Sequence, residues 1–121
     1  MIRKYAFSPT LLPVLLAGCV LGDAWAQDRM TIERGKALMG QYQCGSCHSI
    51  PDVPAARGQR SQPLDAWSQR SYIAGRLPNR PDTLARWIAA PQSLVPGTAM
   101  PSMGVSPADA QAMAAFLFSL E

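Results

Sequence analysis

Histidine and cysteine are both scarce in this 121-residue sequence. His48 is the single histidine, and the three cysteines are Cys19, Cys44 and Cys47. A structural zinc site needs four ligands, and too few remain if an N-terminal leader that contains Cys19 is removed. Any metal or cofactor site must therefore be built around the short segment that carries the other two cysteines and His48.

The sequence also lacks an apolar run long enough to cross a membrane. Its longest apolar stretch lies between residues 11 and 21 and is interrupted by Pro13. Because basic residues precede this short run, the pattern predicts an export signal over residues 1–26, followed by one domain over 27–121. We therefore expect a periplasmic location.

Two processing sites fit the predicted signal. Ala24 and Ala26 are small residues that suit cleavage before Gln27, whereas residues 16–19 resemble a lipobox that ends at Cys19. Ordinary cleavage discards Cys19, while lipobox cleavage would place a lipid anchor on it. The sequence leaves both alternatives open.

Excess charge is small, and acidic residues are few in the middle of the chain. Removal of residues 1–26 leaves nine basic and seven acidic side chains, which is not the balance of a nucleic-acid-binding protein. The segment between residues 57 and 86 contains six arginines and only two aspartates. This basic region is either a solvated face or a surface for an acidic group or partner.

No strand pattern and no repeat is visible, and the apolar spacing indicates short helices joined by long loops. Residues 22–30 are predicted to form a flexible lead-in to a first helix, in which Gly35, Leu38, Met39 and Tyr42 share one face. Glycine inside a helix costs about 1 kcal/mol relative to alanine. We therefore expect another element to cross closely over Gly35.

Two further helices are indicated nearer the C-terminus. One begins with Asn79 as its cap residue and stops at Pro91. The last begins at Ser106, which precedes a proline suited to the first helical turn. Its apolar residues are spaced to bury one stripe, formed by Met113, Phe116, Leu117 and Leu120.

The segment from Cys44 to His48 reads Cys-Gly-Ser-Cys-His and matches the haem-attachment pattern C-x-x-C-H. About one helical turn separates the two thiols, so both Cys44 and Cys47 can form thioethers with one porphyrin, and His48 then projects toward the iron. A thioredoxin-like dithiol would need a strand-and-helix context that the sequence does not show. A short-range disulfide is the other alternative.

The sixth ligand of such an iron must come from a residue other than histidine. Met100 lies in a loop, residues 96–101, that reads Pro-Gly-Thr-Ala-Met-Pro and is bracketed by two prolines. Met103 lies three residues later and competes with it. A methionine is more often a packing residue than a ligand, so these residues alone leave the choice open.

These parts, in this order, resemble class I cytochromes c from about residue 35 to residue 120. The attachment motif, a helix that ends in proline, the P-G-T-x-M-P loop and a terminal helix are that family's sequence of elements. The resemblance implies an all-α cytochrome c fold, with roughly three to five short helices and long loops wrapped around one covalently bound haem c. It also implies His48 and Met100 as axial ligands, with Met100 preferred over Met103, and a terminal helix that crosses the first at Gly35.

Two departures from the family stand out. The family usually has Gly-Pro before a haem-contacting leucine, and here Gln62 and Pro63 precede Leu64. Because a backbone carbonyl accepts the N–H of the axial histidine, Gln62 can serve in this role without being proline. Met39 stands where the family has an aromatic residue, which leaves that space to a neighbouring aromatic side chain, Tyr42 or Phe116.

The resemblance implies further contacts with the haem. Trp87 stands where the family places an aromatic residue on the methionine side, although ordinary core filling is an equal alternative. Thr98 stands where a hydroxyl reaches a propionate. Tyr72 and Arg76 are predicted as additional propionate contacts.

A site with His and Met ligands predicts an electron carrier rather than an enzyme. A methionine thioether is a soft ligand that stabilises ferrous iron and raises the reduction potential. We therefore expect outer-sphere transfer of single electrons within a respiratory chain, between a redox protein donor and an acceptor such as a terminal oxidase. The alternatives are a haem sensor or minor peroxidase with a labile sixth ligand, and a dedicated subunit that passes electrons into one larger redox enzyme.

Overall fold

The computed structural model describes residues 17–121, with side chains from residue 28 onward. Most of the predicted export signal, and the side chain of Cys19 with its proposed lipid anchor, lie outside the described residues. Within them, no helix combines the length and the hydropathy needed to cross a bilayer.

Helices dominate the described part of the chain. They are α1 (Ala17–Gln41), α2 (Pro81–Ala89), α3 (Pro91–Leu94) and α4 (Pro107–Phe118), with shorter 3-10 turns at Cys44–Ser46 and Trp67–Gln69. Long loops join these elements, so the predicted all-α architecture is confirmed. The predicted flexible lead-in is wrong, because residues 22–30 belong to α1, where no proline interrupts the chain and alanine, glutamine, arginine and methionine favour a helix.

Helix α1 crosses α4 with almost no space between the two backbones at Gly35. A Cβ atom at this position would lie 1.9 Å from the Ala112 carbonyl oxygen and 2.9 Å from the Phe116 Cβ. The expected close crossing at Gly35 is therefore present. Phe116 fills the crossing, while Met39 is buried one turn further along α1.

Helix α4 begins and packs as its sequence predicts. The Ser106 hydroxyl caps it by accepting a hydrogen bond of 3.1 Å from the backbone N–H of Asp109. Its predicted stripe is buried between α1 and α2, with less than a tenth of each side chain exposed at Met113, Phe116, Leu117 and Leu120.

The predicted cap of α2 is wrong. Arg80 occupies the cap position, while the Asn79 side chain accepts a hydrogen bond from Trp67 Nε1 and donates to the Trp67 and Arg70 carbonyls. The carboxamide both donates and accepts, so it satisfies three groups of the 3-10 turn instead of one helix amide. Pro91 ends α2 and starts α3.

A short hairpin precedes α2 and was not expected from the sequence. Strands β1 (Tyr72–Ile73) and β2 (Leu77–Pro78) pair antiparallel, through a turn in which Ala74 and Gly75 both have positive φ. The loop has three residues, and the turn is closed by the Arg76 N–H, which donates to the Ile73 carbonyl at 3.0 Å. Each strand has only two residues, which is too short for an alternating pattern to be recognised.

Candidate haem site

A cleft with apolar walls lies where α1, α2, α4 and the long loops meet. It brings together Cys44, His48, Leu64, Trp87 and Met100, which come from separate segments of the chain. Its remaining wall is formed by side chains of the helices and of the second 3-10 turn, namely Met39, Trp67, Leu84, Ile88, Met113 and Leu117.

The attachment segment follows directly from the end of α1. The chain turns at Gln43, which has φ of 56°, and then forms the 3-10 turn Cys44–Ser46. The backbone N–H of His48 donates to the Cys44 carbonyl at 3.1 Å, so the helical turn continues to the histidine. Cys44 and Cys47 are free thiols, each partly buried, and so both remain available for thioether bonds.

The environment of Cys44 does not resemble that of a reactive dithiol. Burial raises the pKa of the Cys44 thiol, because the charged thiolate loses solvation. Redox-active C-x-x-C motifs instead lower the pKa of their attacking thiol. The burial of Cys44 therefore argues against the thioredoxin-like alternative.

A second chain segment lies against the back of the attachment motif. A Cβ at Gly58 would lie 2.4 Å from the Cys47 carbonyl carbon, and one at Gly45 would lie 2.5 Å from Ala56 Cα. The Gly58 N–H also donates to the carbonyls of Gly45 and His48. Both glycines are thus required by backbone packing, a role at Gly58 that only the folded chain reveals.

His48 is oriented by the residue that the resemblance indicates. Its Nδ1 lies 2.7 Å from the backbone oxygen of Gln62, which fits donation by the ring N–H and leaves Nε2 as the unprotonated nitrogen. Two residues later, the Leu64 N–H donates to the Ser49 carbonyl at 2.8 Å, which fixes this loop to the attachment segment. The role of Gln62 toward a haem ligand stays a prediction.

The two candidate methionines occupy different places. Met100 is partly buried and lines the cleft, whereas Met103 lies outside the cleft with 45% of its surface exposed. This geometry favours Met100 as the ligand.

The residues that were predicted to contact the haem do not all lie at the cleft. Trp87 is buried at the cleft, while Thr98 lies outside it and accepts a 3.4 Å hydrogen bond from the Met100 N–H. Tyr72 and Arg76 lie exposed on the hairpin and do not line the cleft. The propionate contacts proposed for these three residues stay predictions.

Trp67 is a cleft residue that the sequence reasoning missed. Its ring is buried, and the Arg70 guanidinium lies 4.9 Å from the ring centroid. Arg70 also donates to the carbonyls of Pro63 and Asp65, at 2.5 and 2.9 Å, and so holds the segment that contains Leu64. The clustering of a tryptophan, an arginine and Asn79 has no local sequence signal, because the three side chains meet only after folding.

The donor set suits a haem better than a bare metal ion. The described residues contain no group of three or more His, Cys, Asp or Glu side chains that could hold a metal. In contrast, the Cys44 thiol, an imidazole and a thioether line one apolar cleft, and the second thiol lies three residues after the first. These are the groups that a covalently bound haem uses. The residues present therefore fit this cofactor.

Comparison with known proteins gives the same assignment. A family model described as cytochrome c matches residues 32–121. The chain is 33% identical over 89 residues to cytochrome c oxidase subunit 2 of Alkalihalophilus pseudofirmus, an alignment that covers 73% of this chain. The chain spans about a quarter, 25%, of the length of that relative. No solved structure matches it. Because the family match covers most of the chain and every cleft residue, this protein belongs to the cytochrome c family, whose members bind haem c covalently and exchange electrons with redox partners.

Proposed function

We propose that the protein carries single electrons through one haem c attached to Cys44 and Cys47. The observation that supports this most directly is that His48 and Met100 line one apolar cleft. The bound haem supplies an iron that alternates between the ferric and ferrous states. Two protein ligands would leave that iron no open position for a substrate.

In this proposal, Gln62, Met100 and the apolar walls of the cleft have separate tasks. The Gln62 carbonyl, 2.7 Å from Nδ1, fixes the orientation of the His48 ring. The soft thioether of Met100 stabilises the ferrous state. The apolar walls keep water from the site, which limits solvent rearrangement when an electron arrives.

The same proposal includes the place of action. The predicted signal over residues 1–26 supports export to the periplasm, where the protein would serve a respiratory chain. The mature protein would be either soluble after cleavage before Gln27 or lipid-anchored at Cys19.

A second candidate function is a dedicated route for electrons into one larger redox enzyme. The relative from Alkalihalophilus pseudofirmus is named as a subunit of cytochrome c oxidase, which supports an acceptor of the terminal-oxidase class. Stable co-purification with such an enzyme would favour this role, whereas purification as a free monomer would favour a diffusing carrier.

The intact mass of the exported protein tests the central proposal. The full chain is produced together with a cytochrome c maturation system, and the mature protein is weighed under denaturing conditions. We expect the polypeptide mass plus one haem, a red colour, and a sulfur-to-iron absorption band in the near infrared when oxidised. A colourless product of apo mass would contradict the proposal, and the same measurement identifies the cleavage site and any acyl chain.

Rapid binding of carbon monoxide tests the alternative of a sensor or peroxidase. A ferrous protein with two firmly bound protein ligands binds carbon monoxide slowly, because Met100 must first leave. Fast binding by the untreated protein would instead indicate an open or labile position.

A further inference from the structure

Gln92 lies on α3, outside the cleft, and its exposed side chain is bonded to the loop that carries Met100. Its Nε2 donates to the Thr98 carbonyl at 2.6 Å and, at 3.4 Å, to the Met100 carbonyl. Its Oε1 accepts from the Gly97 N–H at 3.1 Å. One side chain thus satisfies three backbone groups within residues 97–100.

The loop has little else to hold it. Residues 96–104 contain no helix or strand, and their side chains are exposed or only partly buried. The other described hydrogen bonds of residues 97–100 are short-range ones, from the Thr98 N–H to Val95 and from the Met100 N–H to the Thr98 hydroxyl. In this part of the chain, the Gln92 amide therefore provides the connection between the loop and a helix.

Gln92 itself is held in place by its neighbour. Pro91, the first residue of α3, is among the most completely buried side chains of the described chain. Its ring also fixes the φ angle of Pro91, so the backbone directly before Gln92 has little freedom. The backbone beside Gln92 is therefore anchored, and the three hydrogen bonds hold the exposed amide against the loop.

We propose that Gln92 is a positioning residue that keeps Met100 at the cleft and so keeps the sixth coordination position closed. This inference rests on the proposed function, in which Met100 is an axial ligand. It adds that the difference between an electron carrier and a ligand-binding haem protein is controlled from a surface residue that does not touch the cleft.

The test compares three variants in the mature, haem-loaded protein. Gln92→Ala removes all three bonds. Gln92→Glu keeps an oxygen for the Gly97 N–H but replaces the donating amide. Gln111→Ala is the matched control, because Gln111 is an exposed glutamine of α4 that makes no hydrogen bond to the loop.

Three measurements report on the loop. Loss of the donating amide should raise the rate of carbon monoxide binding to the ferrous protein about tenfold, since the rate follows the fraction of molecules in which Met100 has left. We expect this increase in Gln92→Ala and Gln92→Glu. The sulfur-to-iron band should disappear at a lower temperature in both variants. Amide exchange at Gly97 should accelerate in Gln92→Ala alone, and Gln111→Ala should match the wild type throughout.

The outcomes separate a failure of this inference from a failure of the proposed function. If the wild type shows the band and Gln92→Ala binds carbon monoxide at the wild-type rate, the positioning role is wrong while Met100 ligation stands. A lower unfolding midpoint with an unchanged binding rate would likewise overturn it, because the role would then be purely structural. If the wild type itself lacks the band and binds carbon monoxide rapidly, Met100 ligation fails and this inference fails with it.

Discussion

The phenol of Tyr42 donates a hydrogen bond of 2.9 Å to the carboxylate of Asp109 and so joins the end of α1 to the first turn of α4. Arg34 of α1 forms an ion pair with the same carboxylate. Asp109 therefore links Arg34 and Tyr42 to α4, beside the crossing of α1 and α4.

This contact predicts a dependence of stability on alkaline pH. The hydrogen bond to Asp109 raises the pKa of Tyr42 above its usual value of 10.0, and burial of the phenol and the negative charge of the Asp109 carboxylate make smaller contributions in the same direction. Because the folded state binds the phenol proton more tightly, the stabilisation is complete below about pH 10 and is lost as pH rises through the folded pKa. Wild type should therefore lose more stability than Tyr42→Phe in this range.

Chemical unfolding of both proteins at several pH values between neutrality and strong alkali checks this expectation. The informative quantity is the difference in unfolding midpoint between wild type and Tyr42→Phe. A difference that stays constant through the alkaline range would show that the Tyr42 proton does not contribute.

Gly35 and Gly40 provide a matched pair of substitutions on α1. Gly35→Ala places a methyl group against the Ala112 carbonyl, which belongs to backbone and cannot move aside, so we expect a loss of about 3 kcal/mol in unfolding free energy. Gly40 is exposed, and a Cβ there would meet nothing within 4 Å. Gly40→Ala should therefore stabilise the helix by about 0.5–1 kcal/mol. Guanidinium unfolding of the haem-loaded proteins measures both, and equal effects would contradict the described crossing.

The two methionines provide a test of the sixth ligand. Met100→Ala should abolish the sulfur-to-iron band, lower the reduction potential and permit rapid carbon monoxide binding, because the soft thioether is lost. Met103→Ala should leave all three properties unchanged, since Met103 lies 45% exposed outside the cleft. Potentiometry and absorption spectroscopy measure the outcome, and a reversed pattern would assign Met103 as the ligand.

Asn79 is expected to be important for stability although it lies outside the cleft. Asn79→Ala removes three hydrogen bonds and leaves the Trp67 indole N–H without its partner, so the unfolding free energy should fall by about 2 kcal/mol. Asn79→Asp keeps an acceptor for Trp67 and loses both donated bonds, so it should lie between wild type and Asn79→Ala. Urea unfolding checks this order. A neutral Asn79→Ala would show that water replaces these bonds at little cost.

The features that sequence reasoning predicted correctly depend on short-range signals. The Ser106 cap and the buried stripe of α4 follow from residues a few positions apart. Gly35 could be interpreted because a glycine inside a helix needs a reason, and close packing is the usual one. The family resemblance supplied the expectation that Gln62 would face His48, which periodicity alone would not have given.

The features that were missed depend on contacts between distant segments. Asn79 has the residue type and the spacing of a helix cap, yet three partners around Trp67 compete successfully for its side chain. Gly58 stands in a loop rich in small residues, where nothing marks it as the one that lies against the attachment motif. In the sequence, Gln92 likewise resembles an ordinary surface residue, because its hydrogen bonds to the loop that carries Met100 form only in the folded chain.

The crossing of α1 and α4 also determines when the domain can fold. These helices come from opposite ends of the domain, so a nascent chain that still lacks α4 has no partner for the face around Gly35. Bringing such distant segments together costs loop-closure entropy, which slows folding. A chain that still lacks α4 therefore cannot complete this crossing, and the two thiols lie in an unfinished fold until the last helix has been made.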